Sequence, residues 1–228
     1  MNEQFVRTIN LIGTEKFNKL TDKKIIVLGV GGVGGFVIES LARAGISNFV
    51  IVDNDVVNSS NINRQIVALN STLGQFKVDV MKQRLLDINP KIKVGAKKVF
   101  LTPDLIQNFD FNSDYVIDCI DNVTAKIALA IESEKKGFNL ISCMGTGNKL
   151  KPELFEITDI YKTSVCPLAK VMRKKLKDAN VKKLTVLYSK EEPRKTITGD
   201  RTPASISFTP SIAGLRIAEF VIKKFIGE

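Results

Sequence analysis

The sequence contains no histidine and only three cysteines, Cys119, Cys143 and Cys166. Without an imidazole, the chain cannot supply a Ser-His-Asp triad, a histidine general base or a histidine metal ligand. The cysteines are odd in number and form no C-x-x-C pair. Neither a disulfide framework nor a zinc site is therefore expected.

Long apolar runs are also missing. No run approaches the roughly 18 residues of a membrane span, and the first thirteen residues lack the apolar region and the small-residue cleavage site of a signal peptide. Hydrophobic residues make up 44% and charged residues 25% of the 228 residues, which is ordinary globular usage. The sequence predicts a folded cytoplasmic protein and leaves peripheral membrane association open.

Positive charge is in excess and is concentrated. The 34 lysines and arginines outnumber the 24 acidic residues, which gives a net charge of +10, and the stretch Lys162–Arg201 holds twelve basic and four acidic residues. Such a segment suits a polyanionic partner such as nucleic acid. A solvated basic helix face explains the composition equally well.

Short apolar runs alternate with helical patterns along the chain. Strands are predicted at Lys24–Val30, Asn48–Asp53, 92–100, Tyr115–Cys119 and Asn139–Cys143, with helices at 36–45, 76–88 and 123–136. Continuous apolar strands separated by helices are typical of a parallel sheet that is covered on both faces. The predicted fold is a doubly wound, Rossmann-like α/β fold with a mostly parallel sheet.

The character of the chain changes after Gly147, where it becomes more polar, more basic and less periodic. We expect a basic helix at 165–178, a strand at Leu184–Tyr188, a mobile loop at Ser189–Pro203, a short strand at Ser205–Phe208 and a final helix at Pro210–Ile226. The simplest organisation is a single domain, 1–228. Its core covers about 1–147, and a basic α/β extension covers about 148–228.

A glycine motif follows the first predicted strand. Gly29, Gly31, Gly32 and Gly34 form G-x-G-x-x-G between a strand and a helix, and Asp53 ends the next strand. Glycines let phosphates approach the main chain, the helix N-terminus offers free N–H groups, and the acid accepts hydrogen bonds from ribose hydroxyls. The motif therefore predicts nucleotide binding, and alone it would favour NAD. A glycine turn that only packs the helix on the sheet is the alternative.

The residues that follow argue against a dehydrogenase. Asn61, Arg64 and Lys77 are donors suited to the β- and γ-phosphates of a triphosphate. Asp121 follows a strand end, where a carboxylate beside phosphates suits a divalent metal ion. Taken singly, the two cations could be surface charges and Asp121 could be a helix N-cap.

These motifs together resemble the adenylating core of the ThiF/MoeB/HesA ubiquitin-activating-enzyme-like superfamily, whose members use ATP to adenylate a carboxylate. The resemblance implies that Asp53 holds the ribose and that Arg64 and Lys77 hold the phosphates. It further implies that Asp121 positions Mg²⁺, and that Arg7 reaches the ATP site of the partner subunit in a homodimer.

A narrower resemblance covers the remainder of the chain. The segments 142–149, 159–174, 186–193 and 205–211 are similar to the family of tRNA threonylcarbamoyladenosine dehydratases. This resemblance implies ATP-dependent cyclisation of N6-threonylcarbamoyladenosine in tRNA through an acyl-adenylate. The alternative enzyme adenylates the C-terminal Gly-Gly of a small ubiquitin-like sulfur carrier, and a tRNA-binding protein whose nucleotide site only stabilises the fold is a third interpretation.

Cysteine chemistry is not needed for the cyclisation. The carbamoyl group of the substrate can attack the acyl-adenylate directly, so Cys166 is expected to have a structural role or to accept sulfur from a transfer-protein partner docked nearby. Cys119 and Cys143 lie in predicted buried strands and are expected to be inert core residues.

Overall fold

The computed structural model describes residues 3–197, 199 and 202–228. Within them, seven strands form one sheet in the order β3-β2-β1-β4-β5-β7-β6. The strands are β1 Lys24–Leu28, β2 Asn48–Val52, β3 Lys93–Lys97, β4 Tyr115–Asp118, β5 Leu140–Cys143, β6 Phe155–Asp159 and β7 Thr185–Ser189. All pairings are parallel except β6 with β7. The predicted doubly wound, mostly parallel Rossmann-like fold is confirmed.

The pairing of the central strand β1 explains why continuous apolar runs predict the strands of this sheet. Val27 in β1 pairs with Ile51 in β2 and with Ile117 in β4, and all three side chains are fully buried. A strand between two parallel neighbours has helices on both faces, so every position favours an apolar side chain.

Eight α-helices are described. They are α1 Val6–Ile12, α2 Thr14–Thr21, α3 Gly34–Ala44, α4 Lys77–Ile88, α5 Pro103–Asn108, α6 Val123–Lys136, α7 Pro167–Asp178 and α8 Phe208–Ile226. Helices α3, α4 and α8 pack on one face of the sheet, and α5, α6 and α7 pack on the other, which creates two apolar cores. None of the described helices is long and apolar enough to cross a bilayer.

The ends of the chain differ most from the prediction. Residues before β1 form two helices that the sequence pattern did not predict, and Phe5 is buried against Phe17 with 5.2 Å between the ring centroids. The short strand predicted at Ser205–Phe208 is wrong, because α8 begins at Phe208. Pro210 then occupies the first turn, where a missing N–H costs nothing, so the helix starts two residues earlier than expected.

The candidate nucleotide cleft at the carboxyl edge of the sheet

A cleft of about 640 Å³ opens where the parallel strands end. Its walls come from the loops after β1, β2, β4 and β5, together with residues of the C-terminal extension. In open α/β sheets this edge is where ligands bind. Most of the predicted site residues lie here, namely Gly29, Gly31, Gly32, Asp53, Arg64, Lys77 and Asp121.

The glycine loop is shaped by close backbone contacts. Gly29 has φ +91°, and a Cβ at this position would lie 2.7 Å from the carbonyl oxygen of Cys119. Gly34 does not line the cleft. A Cβ there would lie 1.9 Å from the carbonyl oxygen of Gly29, so Gly34 lets the first turn of α3 fold back onto the loop. Of the four glycines of the motif, Gly29, Gly31 and Gly32 line the cleft.

Asp53 ties the end of β2 to the glycine loop. Its two carboxylate oxygens accept hydrogen bonds from the N–H of Val30, at 2.7 Å, and from the N–H of Asp55, at 2.8 Å. Burial raises the pKa of Asp53 above its ordinary value, although these N–H groups and Lys77 oppose the shift. Each oxygen keeps a second lone pair, so the same carboxylate can still accept a hydrogen bond from a ligand in the cleft.

The predicted phosphate-binding cations are held in different ways. Lys77 is buried at the start of α4, and its Nζ lies 2.8 Å from Asp55 Oδ2. The guanidinium of Arg64 donates at 2.8 Å to the carbonyl of Ser60 and to Asn63 Oδ1. Lys77 is therefore not a solvated surface charge, and both cations line the cleft.

Two amide side chains of the same segment differ from expectation. Asn61 is buried and does not line the cleft; its Oδ1 accepts from the N–H of Asn58 and caps a short 3₁₀ helix. Gln65 was not singled out from the sequence, yet it lines the cleft, and its buried Oε1 has no hydrogen-bond partner in the structure. The feature of the sequence that points to Gln65 is its position directly after Arg64.

Asp121 offers an accessible carboxylate in the same cleft. It is exposed, it lines the cleft, and in the described part of the chain it has no hydrogen-bond or ion-pair partner. The N-cap of α6 is Asn122, whose Oδ1 accepts from the N–H of Ala125 at 3.0 Å. The helix-cap alternative for Asp121 is thereby excluded.

The strand end that precedes Asp121 holds a buried ionic cluster that sequence reasoning missed. Lys126 Nζ lies 2.8 Å from Asp118 Oδ2, 2.8 Å from the carbonyl oxygen of Cys143 and 3.3 Å from Ser142 Oγ. Asp118 Oδ1 accepts from the N–H of Ile120 at 3.0 Å. The cluster joins the ends of β4 and β5 to the loop that carries Asp121. The feature of the sequence that points to this cluster is a lysine on the buried stripe of helix 123–136.

The C-terminal extension supplies the far wall. Leu168, Pro203 and Ser205 of the extension line it, next to Met144–Gly147 in the loop after β5. Asn148 Oδ1 accepts from the N–H of Ala204 at 2.7 Å, and the N–H of Arg194 donates to the Asn148 carbonyl at 2.8 Å, so both flanks of the predicted loop are bonded to this wall. Residues 198, 200 and 201 of that loop lie outside the described residues.

The cysteines lie around this wall. Burial raises the pKa of the Cys119 thiol strongly and that of Cys143 to about 12. Cys143 is buried in β5 as predicted, whereas Cys119 follows β4, is only half-buried and, like Cys143, lines the cleft, so the predicted core position is wrong for Cys119. Cys166 is the N-cap residue of α7, is 2% exposed and does not line the cleft. A sulfur-transfer partner at Cys166 would need this buried thiol to become accessible.

Arg7 lies away from the cleft of its own chain. It is exposed on α1, a helix with no buried residue, and it is not among the cleft-lining residues. Leu11 on the same helix is 84% exposed. Within one chain, therefore, the structure does not bring Arg7 together with the other predicted site residues.

Comparison with known proteins agrees with this geometry. The chain is 43% identical to a tRNA threonylcarbamoyladenosine dehydratase of Bacillus subtilis (strain 168), over 100% of the chain and 96% of that protein. A dehydratase of the same name from Escherichia coli (strain K12) is 38% identical over 77% of the chain and 66% of its own length. The crystal structure of E. coli TcdA in complex with ATP superposes with a TM-score of 0.91 at 30% identity, covering 99% of this chain and 94% of that one.

More distant structures share the fold alone. E. coli MccB with ATP superposes with a TM-score of 0.72 at 19% identity and covers 100% of this chain. A family model described as the ThiF family matches residues 5–228. The chain therefore belongs to the ThiF family.

Proposed function

We propose that this protein is a tRNA threonylcarbamoyladenosine dehydratase, which uses ATP to cyclise N6-threonylcarbamoyladenosine in tRNA. The observation that carries this proposal is the 43% identity to the B. subtilis dehydratase over the whole chain. The cleft adds the chemistry, since it combines a glycine loop with cations and a free carboxylate.

ATP is the proposed nucleotide. Gly31, Gly32 and Val33, the N-cap residue of α3, line the cleft, where their main chain suits phosphate oxygens. The N–H groups of Gly29 and Val30 are already bonded to Val52 and Asp53. Asp53 accepts hydrogen bonds from the ribose, and Arg64 and Lys77 neutralise phosphate charge. Asn61, placed in this group by its motif, supports the site through the backbone it caps.

Asp121 is the proposed protein ligand of Mg²⁺. The described residues contain no group of three or more acidic or cysteine side chains that could enclose a metal. This fits Mg²⁺, which is usually bound through one or two carboxylates together with substrate phosphates and waters. When bound, the ion would neutralise phosphate charge.

The proposed reaction has two steps. An oxygen of the threonyl carboxylate attacks the α-phosphorus of ATP, and the bond to pyrophosphate breaks. The carbamoyl group of the substrate then attacks the acyl carbon, loses a proton and expels AMP. The protein contributes alignment and preorganised charge rather than a covalent intermediate, and such contributions are commonly the largest in catalysis.

The proposal includes a homodimer. Arg7 is exposed and distant from its own cleft, and α1 presents Leu11 to solvent. Docking of α1 on a second copy would cover that apolar side chain and bring one arginine to each partner's ATP. We also infer that residues 1–228 act as one adenylating unit, because β7 of the extension pairs with β5 of the core.

The decisive experiment is mass analysis of tRNA nucleosides after incubation of threonylcarbamoylated tRNA with the protein and ATP. We expect a nucleoside lighter by one water, with AMP and pyrophosphate formed in equal amounts. Pyrophosphate exchange that is stimulated by a sulfur-carrier protein, but not by tRNA, would instead support the alternative acceptor. Tighter binding of NAD than of Mg·ATP would contradict the nucleotide assignment.

A further inference from the structure

The outer face of α7 carries positive charge that no carboxylate among the described residues pairs with. Lys170, Lys174, Lys175 and Lys177 on the helix, with Lys162, Lys182 and Lys183 at its flanks, are all exposed, and we call this set the α7 surface. None of these seven lysines has an ion-pair partner among the residues that the structure describes. Asp178 is the single acidic residue between positions 162 and 183.

Several exposed lysines elsewhere on the protein are paired with carboxylates, whereas others, such as Lys82 and Lys91, have no ion-pair partner among the described residues. Lys16 lies 2.7 Å from Glu228, Lys19 lies 2.8 Å from Glu15, and Lys223 lies 2.8 Å from Glu219. Lys135 and Lys136 on the neighbouring helix α6 share Glu132. The α7 surface is therefore a local concentration of unpaired charge, which attracts an external polyanion.

The position of α7 connects this charge to the cleft. Leu168, in the first turn, lines the cleft, and the twelve residues of the helix extend about 18 Å away from it. Ala169, Met172 and Leu176 are buried, so the helix is fixed with its basic face outward. Lys170, Lys174 and Lys177 follow one another at the spacing of a single helical stripe.

We propose that the α7 surface binds the phosphate backbone of the tRNA while the modified nucleoside occupies the cleft. This inference rests on the proposed function, which supplies a polyanion that must extend beyond a cleft of nucleoside size. A membrane suits the surface less well. The apolar stripe of α7 is buried in the core, so only Val171 remains as an exposed large apolar side chain on the helix.

The test compares two triple variants of equal charge change. In the first, Lys170, Lys174 and Lys177 are each replaced by alanine. In the control, Lys16, Lys19 and Lys223 are each replaced by alanine. Lysine and alanine are both good helix formers, and exposed ion pairs contribute little to stability, so both proteins should fold. The affinity for tRNA is measured for each protein across a range of salt concentrations.

We expect the α7 variant to bind tRNA about 10- to 100-fold more weakly than the wild type near physiological salt, and the log–log salt slope to become shallower by about 2 to 3. The control variant should keep both values close to wild type. In turnover, KM for tRNA should rise, while ATP affinity stays unchanged.

Each other outcome has a distinct meaning. Equal tRNA binding by the two variants would overturn the inference even if the wild type converts the nucleoside. Loss of tRNA binding in the α7 variant, with no conversion by the wild type, would uphold the surface and contradict the proposed function. If the α7 variant loses only its binding to vesicles containing phosphatidylserine, the surface faces a membrane and the inference is wrong.

Discussion

Two regions of the molecule, the nucleotide side of the cleft and the α7 surface, use charge in opposite ways. On the nucleotide side, two lysines are buried and paired, Lys126 with Asp118 and Lys77 with Asp55. On the α7 surface, the lysines are exposed and, within the described residues, unpaired. The first arrangement fixes geometry before any ligand arrives, whereas the second keeps its charge available for a partner.

The difference follows from the cost of desolvation. A charge removed from water must be compensated by partners with good geometry, and losing one partner leaves an unsatisfied ion in the interior. An exposed lysine is already solvated, so its removal changes stability little but changes the electrostatic field around the protein. Substitutions in the two regions should therefore affect different measurements.

The largest effect should come from Lys126→Met. This change leaves Asp118 buried without its cation, and we expect a loss of about 3–5 kcal/mol in the free energy of unfolding, measured with urea. Lys135→Met on the same helix is the matched control, since its partner Glu132 also pairs with Lys136 and Lys135 itself is exposed. The control should lose less than about 1 kcal/mol.

A conservative variant separates charge from packing. Lys126→Arg keeps the positive charge and should recover part of the lost stability. If Lys126→Met were as stable as the wild type, the cluster would not be the structural support that the short distances indicate.

Asp121→Ala should remove activity and leave the fold intact. The side chain is exposed and has no partner within the described residues, so its loss should leave the melting temperature unchanged. Turnover should fall about 100- to 1000-fold, as is typical when one preorganised electrostatic group is lost. The variant Asn122→Ala, at the neighbouring position, should instead change stability. It removes the N-cap of α6 and should lower the free energy of unfolding by about 1 kcal/mol.

Arg7 tests whether the nucleotide side is completed by a second copy. Arg7→Ala and Asp121→Ala should each be inactive, and mixing them should restore up to about a quarter of the wild-type activity. Half of randomly formed dimers are mixed, and each mixed dimer contains one intact site. The measurement is turnover after verified subunit exchange. No recovery would mean that Arg7 acts within its own chain or has no role in the reaction.

The same contrast between regions explains what the sequence could predict. The strands β1, β2 and β4 were predicted to within two residues, because burial on both faces produces continuous apolar runs and glycines mark the turn. The antiparallel edge strand β6 was missed. It is only partly buried at four of its five positions and carries polar side chains between its apolar ones, so it produces no such run.

Sequence patterns predict the position of residues that follow strand ends, but not the contacts across the sheet. Asp53 and Asp121 follow β2 and β4, and both line the cleft because parallel strands bring their carboxyl ends to one edge. Their roles in nucleotide and metal binding stay predictions. The partnership of Lys126 with Asp118 depends on how deeply α6 packs against β4 and β5, which no linear pattern encodes. Asn61 was placed in the cleft by its motif, whereas the structure uses it as a cap.

The smallest effect should come from the protonation of Asp53. Burial raises its pKa above the ordinary value of about 3.9. The neutral form is thus favoured in the folded state. The stability that Asp53 contributes is present below the unfolded pKa and is lost as the pH rises through the folded pKa. Ligand binding should have the opposite pH dependence, because the ionised carboxylate is the stronger acceptor for a ribose hydroxyl.

Asp53→Asn isolates this contribution. At neutral pH the variant should bind ATP about 3- to 10-fold more weakly than the wild type, the size of one hydrogen bond. As the pH falls through the raised pKa of Asp53, the wild type should weaken and the ratio of the two affinities should approach one. Titration of the ATP phosphates affects both proteins equally and cancels in that ratio. Calorimetry from neutral to mildly acidic pH measures this ratio of ATP affinities. A ratio that does not change with pH would show that Asp53 only holds the glycine loop through Val30.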